Sequence, residues 1–158
     1  RGMDKEGFSG LDGRTTIYDY WNIDTLTRAD GHKLTKDEKT LATIYNKVLN
    51  IAHAEKAICE GVSFDLMYVN GDYHRQYAFL RKAGSEVLLI VVNFDDLPAT
   101  MDVIIPAHAF DYLKLKERKN VTAVDLLSGK EIKRQLYRDC YVSVDLEPLG
   151  AVVLKFKA

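Results

Sequence analysis

From Gly61 onward, short apolar runs alternate with turn-forming residues at nearly regular intervals, and this rhythm limits the fold more than any other feature. Runs this short pack best as strands, whose side chains alternate between two faces so that a few residues cross a core. Strands are predicted at 64–69, 77–81, 87–94, 100–105, 121–127, 131–136, 141–146 and 151–157. The turns between them are Asn70-Gly71-Asp72, Ala83-Gly84-Ser85, Asp95-Asp96-Leu97-Pro98 and Ser128-Gly129-Lys130, all rich in residues that bend a backbone cheaply. The run 87–94 is almost wholly apolar, as a central strand covered on both faces must be. In the last run Val152, Leu154 and Phe156 alternate with Val153, Lys155 and Lys157, which predicts one wet face. About eight strands so spaced predict a mainly β fold, an antiparallel Greek-key β-sandwich.

The first 34 residues are rich in Gly, Asp and Thr and have no period, which predicts a long loop. Thr35-Lys36-Asp37-Glu38 then reads as a capping box, in which the Thr hydroxyl and the Glu carboxylate each accept from a free backbone N–H. Leu41, Ile44, Tyr45, Val48 and Leu49, followed by Ile51 and Ala52, form one apolar stripe and predict an amphipathic helix over 36–54. Such a helix has to cover something, since isolated helices are marginal in water.

Composition narrows the function. A balance of 22 Lys+Arg against 23 Asp+Glu leaves a net charge of −1, which offers no general attraction to nucleic acid or an anionic membrane. The basic stretch 114–119, with Lys130, Lys133 and Arg134, lacks the interleaved aromatics of a base-stacking surface and reads as a solvated face. No apolar run approaches the length of a membrane-spanning helix. His32, His53, His74 and His108 lack ligand spacing, so no metal site is expected. Cys59 and Cys140, far apart in sequence, read as two unpaired thiols, with a bridge in an oxidising compartment as the alternative.

Four pieces of the chain, in order, resemble the α-amylase family of glycoside hydrolases, family 13. They are FSGLDGRTTIYDYW at 8–21, preceded by Gly2-Met3; the helix with Leu41, Tyr45 and Leu49 running into Ala57-Ile58 and Gly61; YAFLR at 77–81 with EVLLIVVNFDD at 86–96; and DLLSGK at 125–130 with LEPLGAVVLKFK at 147–157. The resemblance implies that residues 1–60 are the final loop and helix of a catalytic barrel and that 61–158 are the C-terminal β-sandwich. A complete (β/α)₈ barrel takes about 250 residues, more than the 158 present. The family's catalytic Asp, Glu and second Asp lie on earlier barrel strands, and none of those motifs occurs here. No catalytic residue is therefore expected, and the chain stands as the tail of a larger α-glucan hydrolase.

The family loop at 8–21 lies at the barrel face where active sites form. The resemblance thus makes Asp12, Arg14, Tyr20 and Trp21 the residues facing substrate in the parent, with loop anchoring and gap filling as the alternative roles. It also implies the barrel of the same parent chain as partner. No cofactor is expected in this segment, with calcium left to the parent, and a periplasmic or extracellular setting follows from family habit alone. Five stripe residues at about 2 kcal/mol each would cost on the order of 10 kcal/mol if left in water. Docking of the helix on the sandwich, or contact with another copy of the chain, is the expectation. The competing function is a carbohydrate-binding sandwich that grips α-glucan through tyrosines such as Tyr68, Tyr73, Tyr77 and Tyr141.

Overall fold

The computed structural model describes residues 33–157, which divide between Leu49 and Asn50 into two units. The first element, α1 (Lys36–Ala54), begins where the capping box places it. The Thr35 N–H donates to Glu38 Oε2 at 2.7 Å, and the Glu38 N–H donates to Thr35 Oγ1 at 3.3 Å. Both bonds satisfy donors that a helix start leaves free. No residue of α1 is buried, and the stripe residues Ile44, Tyr45, Val48 and Leu49 are all exposed.

A single turn, α2 (Lys56–Cys59), leads to Gly61. A Cβ at Gly61 would lie 2.1 Å from the Ala57 carbonyl oxygen. Glycine alone lets the chain leave the helix this tightly and enter the first strand.

The strands follow as β1 (Val62–Asp65), β2 (Gln76–Ala83), β3 (Glu86–Asn93) and β4 (Ala99–Ile105). A helix α3 (Ala107–Leu113) comes next, then β5 (Arg118–Asp125), β6 (Glu131–Leu136), β7 (Cys140–Leu146) and β8 (Ala151–Phe156). Six strands form one sheet in the order β1-β2-β3-β8-β5-β6, and β4 pairs with β7 in a second. Every pairing is antiparallel. The non-consecutive neighbours β3-β8-β5 and β4-β7 are the long returns of the predicted Greek-key sandwich.

The core follows from strand alternation. Met101, Val103 and Ile105 on β4 face inward, as do Val142, Val144 and Leu146 on β7. They meet Leu80, Leu89, Leu154 and Phe156 of the large sheet in one cluster, which Phe110 of α3 joins. The strand at 87–94 is central as predicted, flanked by β2 and β8 and buried from Val87 to Val91. Phe94 lies beyond its end and is exposed.

Two sequence expectations need correction. The outer face of β8 is only partly wet, because Val153 joins Ala57, Leu88 and Ile90 in a second, smaller core. Residues 107–113 are helical where no element was expected. Pro106 starts α3 because its fixed φ suits a helix entry, and Lys114, at φ 52°, ends it in the left-handed region.

Candidate functional site

Asp12, Arg14, Tyr20 and Trp21 lie outside the described residues, so candidate chemistry is sought in the sandwich. The motif residues there prove to be fasteners. The buried Asp125 carboxylate accepts from the N–H groups of Leu127 at 3.1 Å, Ser128 at 3.0 Å and Val153 at 3.1 Å, and from the Ser128 hydroxyl. It thereby shapes the Leu126–Lys130 turn, with Gly129 at φ 78°, and ties that turn to β8. Buried Asn93 plays the same part at the end of β3. Its Nδ2 donates to the carbonyls of Leu97 and Glu147, and its Oδ1 accepts from Gln76 Nε2 and the Asp95 N–H. Asn70, also buried, links the loop after β1 to β4 through donation to the Ile104 carbonyl and acceptance from the Ile104 N–H. Buried polar groups with all these partners fix strand register and leave little capacity for a ligand.

Two carboxylates do approach each other. Lys155 Nζ lies 2.5 Å from Glu55 Oε2 and 3.2 Å from Glu86 Oε2. The Ala57 N–H donates to Glu86 Oε1 at 2.7 Å, while Arg81 holds the Ala57 and Ile58 carbonyls at 2.8 and 2.6 Å. Partial burial works to raise the Glu86 carboxyl, but the Ala57 N–H and the Lys155 ammonium prevail and hold it below the usual range. Glu55, and after it Glu86, raises the Lys155 ammonium in return. Retaining glycoside cleavage asks for one carboxyl kept protonated beside an ionised partner. Here an ammonium sits between the two acids and favours the ionised form of Glu86, which makes a clamp for α2 rather than an acid/base pair.

Asp95 behaves similarly. Desolvation raises its carboxyl, whereas Asp96, the Leu97 N–H and Arg75, 3.2 Å away, bring it below the ordinary value. Among the described residues no group of three His, Cys, Asp or Glu gathers as a metal site, and Cys59 and Cys140 are both free thiols.

The tyrosines separate by environment. Tyr73 packs against the core, and its hydroxyl accepts from the Asp102 N–H at 3.1 Å. Tyr77 tilts against Phe79, with ring centroids 5.8 Å apart, and Tyr141 stands alone on β7, exposed. Tyr68 belongs to a group. The nearly buried ring of Phe64 is met by Tyr68 at 6.1 Å, His108 at 5.5 Å and Tyr112 at 5.6 Å, and these three are exposed. Burial, and then the Asp139 carboxylate, raises the Tyr68 phenol. His108 and Tyr112 are four residues apart on α3 and share one helix face. Sequence reading missed both because it assigned no helix to 107–113, although the i, i+4 spacing after Pro106 was the available signal. Aromatic faces with phenol and imidazole edges suit the apolar face and hydroxyl rim of a sugar ring.

The fold itself has known counterparts among enzymes that act on sugars. It is shared with AmyP, solved in complex with maltose, at TM-score 0.56 and 19% identity, over 77% of this chain and 21% of that one. It is shared also with an Anoxybacillus α-amylase at TM-score 0.53 and 16% identity, over 75% of this chain and 22% of that one. The chain thus spans about a fifth of the length of the proteins it matches. The α-amylase likeness carried by the four motifs therefore extends to the fold. No family model and no curated protein sequence matches the chain.

Proposed function

We propose that the chain is the C-terminal sandwich of an α-amylase-like glycosidase acting on α-glucans such as starch and maltooligosaccharides, and that it does no chemistry itself. The observation that carries this reading is a fold shared over three quarters of the chain with about a fifth of a much larger α-amylase. The acid geometry supports it: among the described carboxylates whose acidity is displaced, Glu86, Asp95 and Asp111 all move downward, away from the behaviour of a general acid. Its role is to cap and stabilise the barrel, and the exposed stripe of α1 is the surface that the barrel covers in the parent. Incubating the full chain with maltoheptaose and measuring new reducing ends tests the inactive part. No release above the uncatalysed background is expected; measurable turnover overturns it.

A second reading, a carbohydrate-binding module, is favoured by the surface of Tyr68, His108 and Tyr112. Calorimetric titration of the chain with maltoheptaose should then give a saturable heat. Replacing Tyr112→Ala should weaken it about tenfold, the scale of one aromatic stacking contact at its upper end. No heat above dilution, or a heat unaltered by Tyr112→Ala, removes this reading and leaves the first in place.

A further inference from the structure

At one end of the sandwich, the hairpin turn of Gly84 and Ser85, the segment after α3 and the start of β5 surround a cavity of about 260 Å³. Its wall holds four cationic side chains, Lys82, Lys114, Lys116 and Arg118, and no acid. Its apolar lining is the edge of the main core, Val87, Leu115, Leu136 and Phe156. For a chain of net charge −1 this is a strong local excess of one sign.

The acids nearest in sequence are engaged elsewhere. Glu86 is held by Lys155 at 3.2 Å, and Glu117 by Arg138 at 3.0 Å. Glu60 lines the adjoining hollow, which shares Lys82 and Lys114, but forms no ion pair with either. Arg118 donates to the Lys157 carbonyl, whereas Lys82, Lys114 and Lys116 form no ion pair among the described residues. Clustered like charges repel and lower stability unless something neutralises them.

A second observation falls on the same residue set. Lys114 closes α3 at φ 52° and ψ 50°, with its N–H and that of Leu115 both donating to the Phe110 carbonyl. Helices end this way most cheaply with Gly or Asn, and a side chain placed there carries strain. This left-handed Lys114 also lines the cavity. Strain of this kind is retained where the side chain has a use.

We propose that this cavity binds a small amphipathic organic anion, its charged head among Lys114, Lys116 and Arg118 and its short hydrocarbon arm against Leu115, Leu136 and Phe156. Charge alone would not need the apolar lining, and an uncharged hydrocarbon would not need the lysines. At about 260 Å³ the space falls just below the range usual for ligand pockets, so it suits only a small ligand.

The test titrates the full chain with octanoate, octan-1-ol and acetate by calorimetry at low ionic strength. Octanoate should bind saturably, and octan-1-ol and acetate at least about tenfold more weakly, since each lacks one of the two contacts. Added salt should weaken octanoate binding through screening of the head-group contacts. Lys114→Gly is the informative variant, because it removes the cation while relieving the left-handed strain. It should keep or raise the melting temperature yet weaken octanoate about tenfold, and Lys116→Ala should weaken it similarly without unfolding the protein. No saturation with octanoate by about 10 mM, at a sensitivity adequate for millimolar binding, overturns the proposal. Equal binding of octan-1-ol or acetate, or octanoate affinity unchanged in both variants, overturns it as well.

Discussion

Replacing Asp125→Ala is expected to destabilise the protein by about 3 kcal/mol, because it strands several donors at once in a buried place. The carboxylate is only 6% exposed and accepts from three backbone N–H groups and one hydroxyl. Water can reach the turn at Ser128 and restore part of that loss. It cannot easily reach Val153, which lies on β8 between β3 and β5 and is itself buried. An unsatisfied buried group costs about 1–3 kcal/mol, so the Val153 donor dominates the loss. Asp125→Asn keeps one accepting oxygen and should cost markedly less, while Ser128→Ala, which removes only the hydroxyl contact, should cost least. Thermal melts followed by far-ultraviolet circular dichroism rank the three. A fall of about 10 °C is expected for Asp125→Ala, and one below about 2 °C would show that the turn does not depend on this carboxylate.

This residue also marks how much the sequence disclosed. DLLSGK was legible as a turn because Ser-Gly-Lys bends cheaply, and Gly129 indeed occupies the left-handed region. That the Asp in front of it would reach across to β8 was not legible, because a carboxylate contact over 28 residues leaves no periodic trace. The same division holds elsewhere. The limits of α1 were readable from Thr35, Glu38 and the stripe, all local signals. The existence of all eight strands was readable from alternation and turn chemistry, with ends shifted by a few residues. The cover over Val153 was not, since Ala57 and Leu88 come from distant segments. Likewise Glu55, Glu86 and Lys155 are unremarkable as letters, and only the pairing of β3 with β8 next to α2 draws them together. Of the aromatic surface, Tyr68 was visible as a candidate, while Tyr112 and His108 waited on a helix too short to announce itself by period. The basic segment 114–119 reads as a solvated face, and Lys114 and Lys116 are exposed; that they line an apolar hollow together with Arg118 was not legible.

That short helix yields the second large effect. In α3, Phe110 is 1% exposed and faces the core, whereas Tyr112, two residues on, is 58% exposed. Helical geometry puts them roughly 200° apart about the axis, so neighbours in sequence have opposite environments. Phe110 reaches Met101, Val103 and the rest of the main cluster from the far side of Pro106, with the Arg138 guanidinium 5.8 Å from its ring centre. Phe110→Ala should therefore cost about 4 kcal/mol, from lost burial and from a cavity that rigid strands on both sheets cannot collapse to fill. Tyr112→Ala should lie within about 0.5 kcal/mol of the unaltered protein, as exposed substitutions usually do. Denaturant titration of both variants gives the contrast directly. Were 107–113 an extended segment with no fixed inward face, the two losses would come out alike, and the assignment of α3 as the lid of this end of the core would fall with them.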